Sequence, residues 1–134
     1  MIRSSMNRDF GWAGVGLLLS LAMLPAHAHH ATSAFDRDLS VSVSGTVTKW
    51  QFINPHSGIW IEVVDEEGVM TEWTGEFQGT LDLYRHFSWN KDTFLLGDEV
   101  ALTGYPARSG DSTMSVRIVG FADGHEVDVR GAPD

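Results

Sequence analysis

The sequence contains no cysteine, so disulfide bonds and thiolate metal sites are excluded. Basic residues are also scarce, with 9 lysines and arginines against 18 aspartates and glutamates, which gives a net charge of −9. Such a surface repels phosphate groups, so nucleic acid and anionic lipid are poor partners. Soluble cations and basic proteins suit it better. Without disulfides, the fold has to rely on its hydrophobic core.

Recognisable catalytic motifs are missing as well. The chain has no Gly-x-Ser-x-Gly, no phosphate-binding glycine loop and no His-Glu-x-x-His. Three acidic residues, Glu72, Glu76 and Asp82, surround Trp73, but in so acidic a chain they predict a solvated acidic surface. Glu76 is in addition a candidate for the outer shell of a metal site. We therefore expect a binding protein rather than an enzyme.

The longest apolar run, residues 10–24, is about 15 residues long and therefore short for a membrane span. Two arginines precede it, and Ala26-His27-Ala28 follows it as a small-x-small cleavage site. This pattern predicts a signal peptide over residues 1–28, cleaved after Ala28, and a periplasmic protein with no membrane span after processing. An uncleaved anchor helix is the alternative. Cleavage leaves enough residues for one modest domain, whose net charge is one unit more negative than that of the whole chain.

The mature chain predicts a small all-β domain with one short helix. Alternating apolar and polar residues over 39–48 indicate a first half-buried strand. Further strands are expected at 59–64, 69–74, 100–105 and 114–118, with a helix at 80–87. The order β-β-β-α-β-β is typical of an OB-like five-stranded β-barrel, here spanning residues 39–130 after a flexible start at 29–38. A small open sandwich is the alternative. On the helix, Leu81 and Tyr84 are expected to face the core, with Leu83 as a further candidate.

Aromatic residues are numerous for so small a domain. We expect Trp73 and Trp89 to lie in the core. Trp50 and Trp60 remain open between two interpretations: they fill the core as well, or they form a ligand face on the outside of the barrel.

The histidines are the strongest candidates for a metal site. Cleavage after Ala28 makes His29 the new N-terminus, followed directly by His30. An N-terminal histidine offers its α-amine and its imidazole to one ion, and a third nitrogen completes a plane that suits Cu(II). His56, in the turn after Asn54-Pro55, is the candidate for that third ligand. The alternative is an adventitious His-His tail and a histidine that merely caps a turn.

Several motifs of the mature chain are similar to those of a known family. HHATSAFD from His29 resembles an HHSFAxFD start, GTV at 45–47 and NPH at 54–56 match the same family, and EWTGE at 72–76 is similar to its xWxxE. WNKDTFLLGDEV at 89–100 resembles WTRDTLKPGDEV, and Asp123-Gly124 matches a closing DG. The chain thus resembles a domain-of-unknown-function family of small exported bacterial proteins.

The resemblance implies a periplasmic β-barrel and supplies no established activity. By this resemblance, the family's histidine pair corresponds to His29 and His30, and its NPH histidine corresponds to His56. The chain departs from the pattern at Ala31-Thr32, at Ser88, where a helix-ending glycine is expected, and at Leu96.

Two functions follow as expectations. The first is a periplasmic protein that binds Cu(II) through His29, His30 and His56 for metal handling. An enzyme that activates oxygen at the same copper site is a third, weaker hypothesis. The second is a metal-free accessory module that binds a protein partner or a small ligand on its barrel face, through Trp50 and Trp60.

Overall fold

The computed structural model describes residues 34–131, which form six β-strands and one α-helix. In chain order the elements are β1 (Val41–Gln51), β2 (Gly58–Val64), β3 (Met70–Glu76), α1 (Thr80–Phe87), β4 (Glu99–Pro106), β5 (Thr113–Phe121) and β6 (Glu126–Asp128). The predicted signal peptide and the candidate ligands His29 and His30 lie outside the described residues. Within 34–131, no helix has the length and apolar character needed to cross a bilayer.

Five of the strands close into a barrel. The sheet order is β3-β2-β1-β4-β5-β6, with antiparallel neighbours throughout. The barrel closes where β3 and β5 pair in parallel, residues 74–76 with residues 113–115. This closure, with the single helix between β3 and β4, confirms the predicted all-β, OB-like barrel over the open sandwich. β6 continues the sheet beyond β5 as a short tail strand.

The core consists of side chains from the inner faces of the strands. Alternation along β2 directs Ile59 and Ile61 inward, and both are fully buried. The other fully buried apolar side chains are Val47, Phe77, Leu83, Leu102, Met114, Val116, Val119 and Val129. At the closure, a Cβ on Gly75 would approach Val116 Cγ2 to 2.7 Å. The core side chains packed beneath β3, those of Val116, Ile59 and Leu102, therefore leave little room for a side chain at this position.

Aromatic rings pack around the end of α1. Trp89 is 5% exposed, and its ring centroid lies 5.1 Å from that of Phe94 and 5.6 Å from that of Phe77. Trp73 is half-buried and packs against the core from β3. Trp89 thus occupies the core as expected, while Trp73 covers it from the side.

The helix α1 spans the residues that the sequence predicts, but of the three candidates for its core face only Leu83 is buried. Leu83 is fully buried, and Phe87, four residues later on the same face, is half-buried. Leu81 and Tyr84 are 52% and 61% exposed, so the prediction that they face the core is wrong. An 8-residue helix contacts the barrel through one narrow stripe, and Leu83 with Phe87 forms that stripe.

The chain that enters β1 is attached to the end of β4. Phe35 is 8% exposed and forms a β-bridge with Ala107. The carbonyl of Ala34 accepts a hydrogen bond of 2.9 Å from the backbone N–H of Arg108. Backbone hydrogen bonds therefore hold this segment against the barrel before the first strand begins.

Ser88 ends α1 in the left-handed conformation, with φ 59° and ψ 22°. The N–H of Ser88 donates to the carbonyl of Tyr84 at 2.9 Å, which is the hydrogen bond of the αL type of helix end. An L-residue in this conformation costs about 1–2 kcal/mol, which is partly offset by the greater freedom of glycine in the unfolded chain. We expect Ser88→Gly to raise the free energy of unfolding by about 0.5–1 kcal/mol in urea denaturation.

Ser88→Ala is the matched control. It removes the hydroxyl but keeps the Cβ, so it should give no gain in stability. A glycine variant that unfolds at the same urea concentration as the wild type would contradict this account of the helix end.

Candidate functional site

Two residues predicted from separate motifs meet in the structure. His56 Nδ1 lies 2.6 Å from Glu76 Oε1. His56 belongs to the loop between β1 and β2, whereas Glu76 is the last residue of β3. Their side chains are 44% and 33% exposed, so the pair lies at the surface. With Nδ1 engaged by the carboxylate, Nε2 is the ring nitrogen left for another partner.

The loop that carries His56 is anchored on both sides. On one side Asn54, which precedes a cis peptide bond to Pro55, accepts hydrogen bonds from the N–H and the hydroxyl of Thr80, at 3.0 and 3.1 Å. On the other side the fully buried Ser57 exchanges backbone hydrogen bonds with the chain after β3, donating to Gln78 and accepting from Phe77. The NPH motif thus joins the first loop to the start of α1 and sets the position of the His56 ring.

A cavity of about 260 Å³ lies beside the His56–Glu76 pair. Its wall combines the segment before β1, the His56 loop, the start of α1, β5 and the segment after β6. Phe35 and Tyr105 contribute aromatic surface, and Arg37 and Arg130 contribute positive charge. The cavity therefore lies where the two ends of the described chain meet the closed barrel.

The same pair also borders a second cavity, of about 340 Å³. His56 and Glu76 line it together with Trp60, which is half-buried. Because Ile59 and Ile61 point into the core, Trp60 lies on the outer face of β2. Lys49 Nζ lies 4.2 Å from the Trp60 ring centroid, at the distance of a cation–π contact.

Trp50 does not share this outer face. It pairs with the inward-pointing Ile59 across β1 and β2, and its ring packs against Phe94 and Phe77 at centroid distances of 4.9 and 5.7 Å. Its Nε1–H donates to the carbonyl of Asn90 at 2.9 Å. The structure therefore does not bring Trp50 and Trp60 together on one surface.

The remaining described histidines lie apart from His56. His86 is in the last turn of α1. The ring of His125 stacks on Phe121 at a centroid distance of 4.3 Å. The backbone N–H of His125, followed by its ring, lowers the pKa of the Asp123 carboxyl below its ordinary value. Over residues 34–131, no group of three or more histidine or acidic side chains converges to hold a metal ion.

A comparison with protein families identifies one match. A family of unknown function, DUF6152, matches residues 17–116. The chain belongs to this family. A search of the curated proteins finds no match. The DUF6152 match includes His29, His30, His56 and Glu76, and it ends before Arg130.

Two basic residues that line the 260 Å³ cavity of this DUF6152 protein, Arg37 and Arg130, are not among the site residues predicted from its sequence. They lie near opposite ends of the described chain, outside the strands of the barrel, and neither belongs to a recognisable motif. The one available signal is composition, because basic residues are few in this chain and two of them line one cavity.

The anchoring of the loop leads to a test. Asn54→Ala removes the oxygen that accepts hydrogen bonds from the N–H and the hydroxyl of Thr80 at the start of α1. The loss of a side-chain acceptor at a helix start typically costs about 1 kcal/mol. We expect the free energy of unfolding, measured in urea, to fall by about that amount. Thr80→Ser keeps both donors and should stay near the wild type. Equal stability of the Asn54→Ala variant and the wild type would contradict an anchoring role for this side chain.

Proposed function

We propose that the protein is a periplasmic Cu(II)-binding protein, in which His56 supplies one imidazole while His29 and His30 of the processed N-terminus supply the other nitrogen ligands. The observation that carries the proposal is the 2.6 Å contact of His56 Nδ1 with Glu76 Oε1. A carboxylate on one ring nitrogen orients a metal-binding histidine and increases the basicity of the other nitrogen. His56 Nε2 is therefore the atom to which the ion binds.

The setting of His56 supports this role. Its side chain is 44% exposed, so an ion from solvent reaches the ring. The loop is held by hydrogen bonds at Asn54 and Ser57 on either side, so little conformational freedom is lost when a ligand binds. Nitrogen ligands in a plane are those that Cu(II) prefers, and a chain without cysteine offers no competing thiolate.

Chain length supports the participation of His29 and His30. An extended chain spans at most about 3.3–3.6 Å per residue, so residue 29 lies within roughly 17 Å of residue 34. The backbone of Ala34 is hydrogen-bonded to Arg108, and the adjacent Phe35 lines the same cavity as His56. Export also matters chemically, since cleavage after Ala28 creates the free α-amine that chelates together with the His29 imidazole.

The decisive experiment is a Cu(II) titration of protein exported and processed in the periplasm, beside a version that carries an extra N-terminal Met. Isothermal titration calorimetry gives the affinity, and electron paramagnetic resonance reports the ligand set. We expect one tightly bound ion, which is lost with the extra Met and weakened by His56→Ala. Glu76→Gln should weaken binding by about 10–100-fold, because it removes the carboxylate that orients His56.

His86→Ala is the matched control, since it removes an exposed histidine that lies apart from His56. It should leave both the affinity and the spectrum unchanged. Binding that is indifferent to His56 and to the N-terminal Met would overturn the proposal. It would leave His29 and His30 as an adventitious copper-binding tail.

The second candidate function is a metal-free accessory module, and the cavity beside Trp60 favours it. This cavity is lined by a half-buried indole, Ile53, which is 49% exposed, and the His56–Glu76 pair. Such a surface suits an apolar group of a small ligand or of a protein partner. Trp60 alone, without Trp50, would form the ligand face.

A neutral fluorescent probe, N-phenyl-1-naphthylamine, tests this second function. We expect its fluorescence to rise on binding to the metal-free protein and the rise to be lost in Trp60→Ser. Met70→Ser, which removes a 61% exposed apolar side chain at the start of β3, is the control and should bind as the wild type does. Equal fluorescence with Trp60→Ser and wild type would count against a ligand site at Trp60.

A further inference from the structure

Arg130 is held against the barrel by hydrogen bonds that use only part of its guanidinium. Its Nε donates to the carbonyl of Val116 at 3.3 Å, and Nη2 donates to the hydroxyl of Ser115, a residue that is 7% exposed. Asp128 fixes the backbone of this segment by accepting the N–H groups of Arg130 and Gly131, at 3.0 and 2.8 Å. The guanidinium is thus pre-positioned in the wall of the 260 Å³ cavity.

A second guanidinium, that of Arg37, lines the same cavity. Neither arginine forms an ion pair with any carboxylate of residues 34–131, and Glu76 is engaged by His56. Desolvation, followed by the nearby charge of Arg37, lowers the pKa of Arg130 from its ordinary value, against the opposing charges of Glu76 and Tyr105. The two guanidinium groups share the cavity wall with the carboxylates of Glu76 and Asp82, but neither guanidinium is held by them in an ion pair, so both can bind an anion that enters the cavity.

Gln78, which lines the cavity, carries an unused hydrogen-bond acceptor. Gln78 donates through Nε2 to the carbonyl of Val129, which leaves its Oε1 buried. This oxygen is the only buried side-chain polar atom of the described residues that has no hydrogen-bond partner. A buried acceptor without a donor costs free energy, and a small turn of the Gln78 side chain would let Oε1 accept an N–H or O–H group from a ligand in the cavity.

We propose that this cavity binds a small carboxylic acid that carries a hydrogen-bond donor, with its carboxylate between Arg37 and Arg130 and its donor directed to Gln78 Oε1. Guanidinium groups match carboxylates in both charge and hydrogen-bond geometry. The volume of about 260 Å³ lies near the lower end of ligand pockets and suits a small metabolite. None of these three residues is a proposed metal ligand, so binding of the acid can be tested in the absence of copper.

The test is a titration of the exported, EDTA-treated protein followed by ¹H–¹⁵N NMR. The probes are sodium lactate, alanine and sodium propionate, three acids of the same chain length, with sodium chloride as the ionic-strength control. We expect saturable shifts near the cavity and binding of lactate or alanine on the order of 5-fold or more tighter than that of propionate, which lacks the donor. Sodium sulfate, titrated in parallel, tests whether the site merely takes any anion.

Arg37→Gln and Arg130→Gln should each weaken the binding of the preferred acid by on the order of 10-fold or more. Arg37 makes no hydrogen bond that the fold needs among the described residues, so its variant keeps the test valid should Arg130→Gln fail to fold. Arg85→Gln, on the last turn of α1, makes the same change of charge away from the cavity and should leave binding unchanged.

Three results would overturn the proposal: no saturable shift with any of the three acids, equal binding in the Arg37, Arg130 and Arg85 variants, or sulfate binding tighter than every carboxylate. Because copper is removed by EDTA, each result is independent of the copper titration. A failure of one proposal therefore leaves the other intact.

Discussion

The parallel pairing of β3 with β5 is the contact on which the site depends. It joins residues 74–76 to residues 113–115, and the absence of a side chain at Gly75 makes room for the core side chains packed beneath the closure. The last pair of this closure is Glu76 with Ser115. Glu76 contacts the His56 ring, and Ser115 accepts a hydrogen bond from Arg130. The closure that completes the barrel thus also brings together the histidine and the arginine that border one cavity.

Most of the fold could be predicted because its signals are local. The alternation of apolar and polar residues marks each strand, and turn residues mark the strand ends. The short helix is likewise recognised from its own residues, and its predicted bounds, 80–87, are those observed. The orientation of that helix could not be predicted in the same way. Leu81, Leu83 and Tyr84 are all apolar or aromatic, and only the shape of the barrel beneath decides that Leu83 is the one buried.

The site could be predicted only in part, and the reason differs between the His56–Glu76 pair and the two arginines. His56 and Glu76 could be selected as candidates because each belongs to a motif, but their 2.6 Å contact depends on the pairing of β2 with β3. Arg37 and Arg130 belong to no motif and lie in segments outside the strands. They meet only because both ends of the described chain pack against the barrel near one cavity, which no local pattern encodes.

Charge links the two proposed ligands. Cu(II) at His56 Nε2 would lie beside a cavity lined by two guanidinium groups, and like charges at short range oppose its binding. Glu76, which contacts the His56 ring, and Asp82, which also lines the cavity, offset part of this repulsion. A carboxylate between Arg37 and Arg130 would offset more of it. Coupling between two sites is reciprocal. If the bound acid raises the affinity for copper by some factor, bound copper raises the affinity for the acid by the same factor. Occupied together, the two sites would stabilise each other.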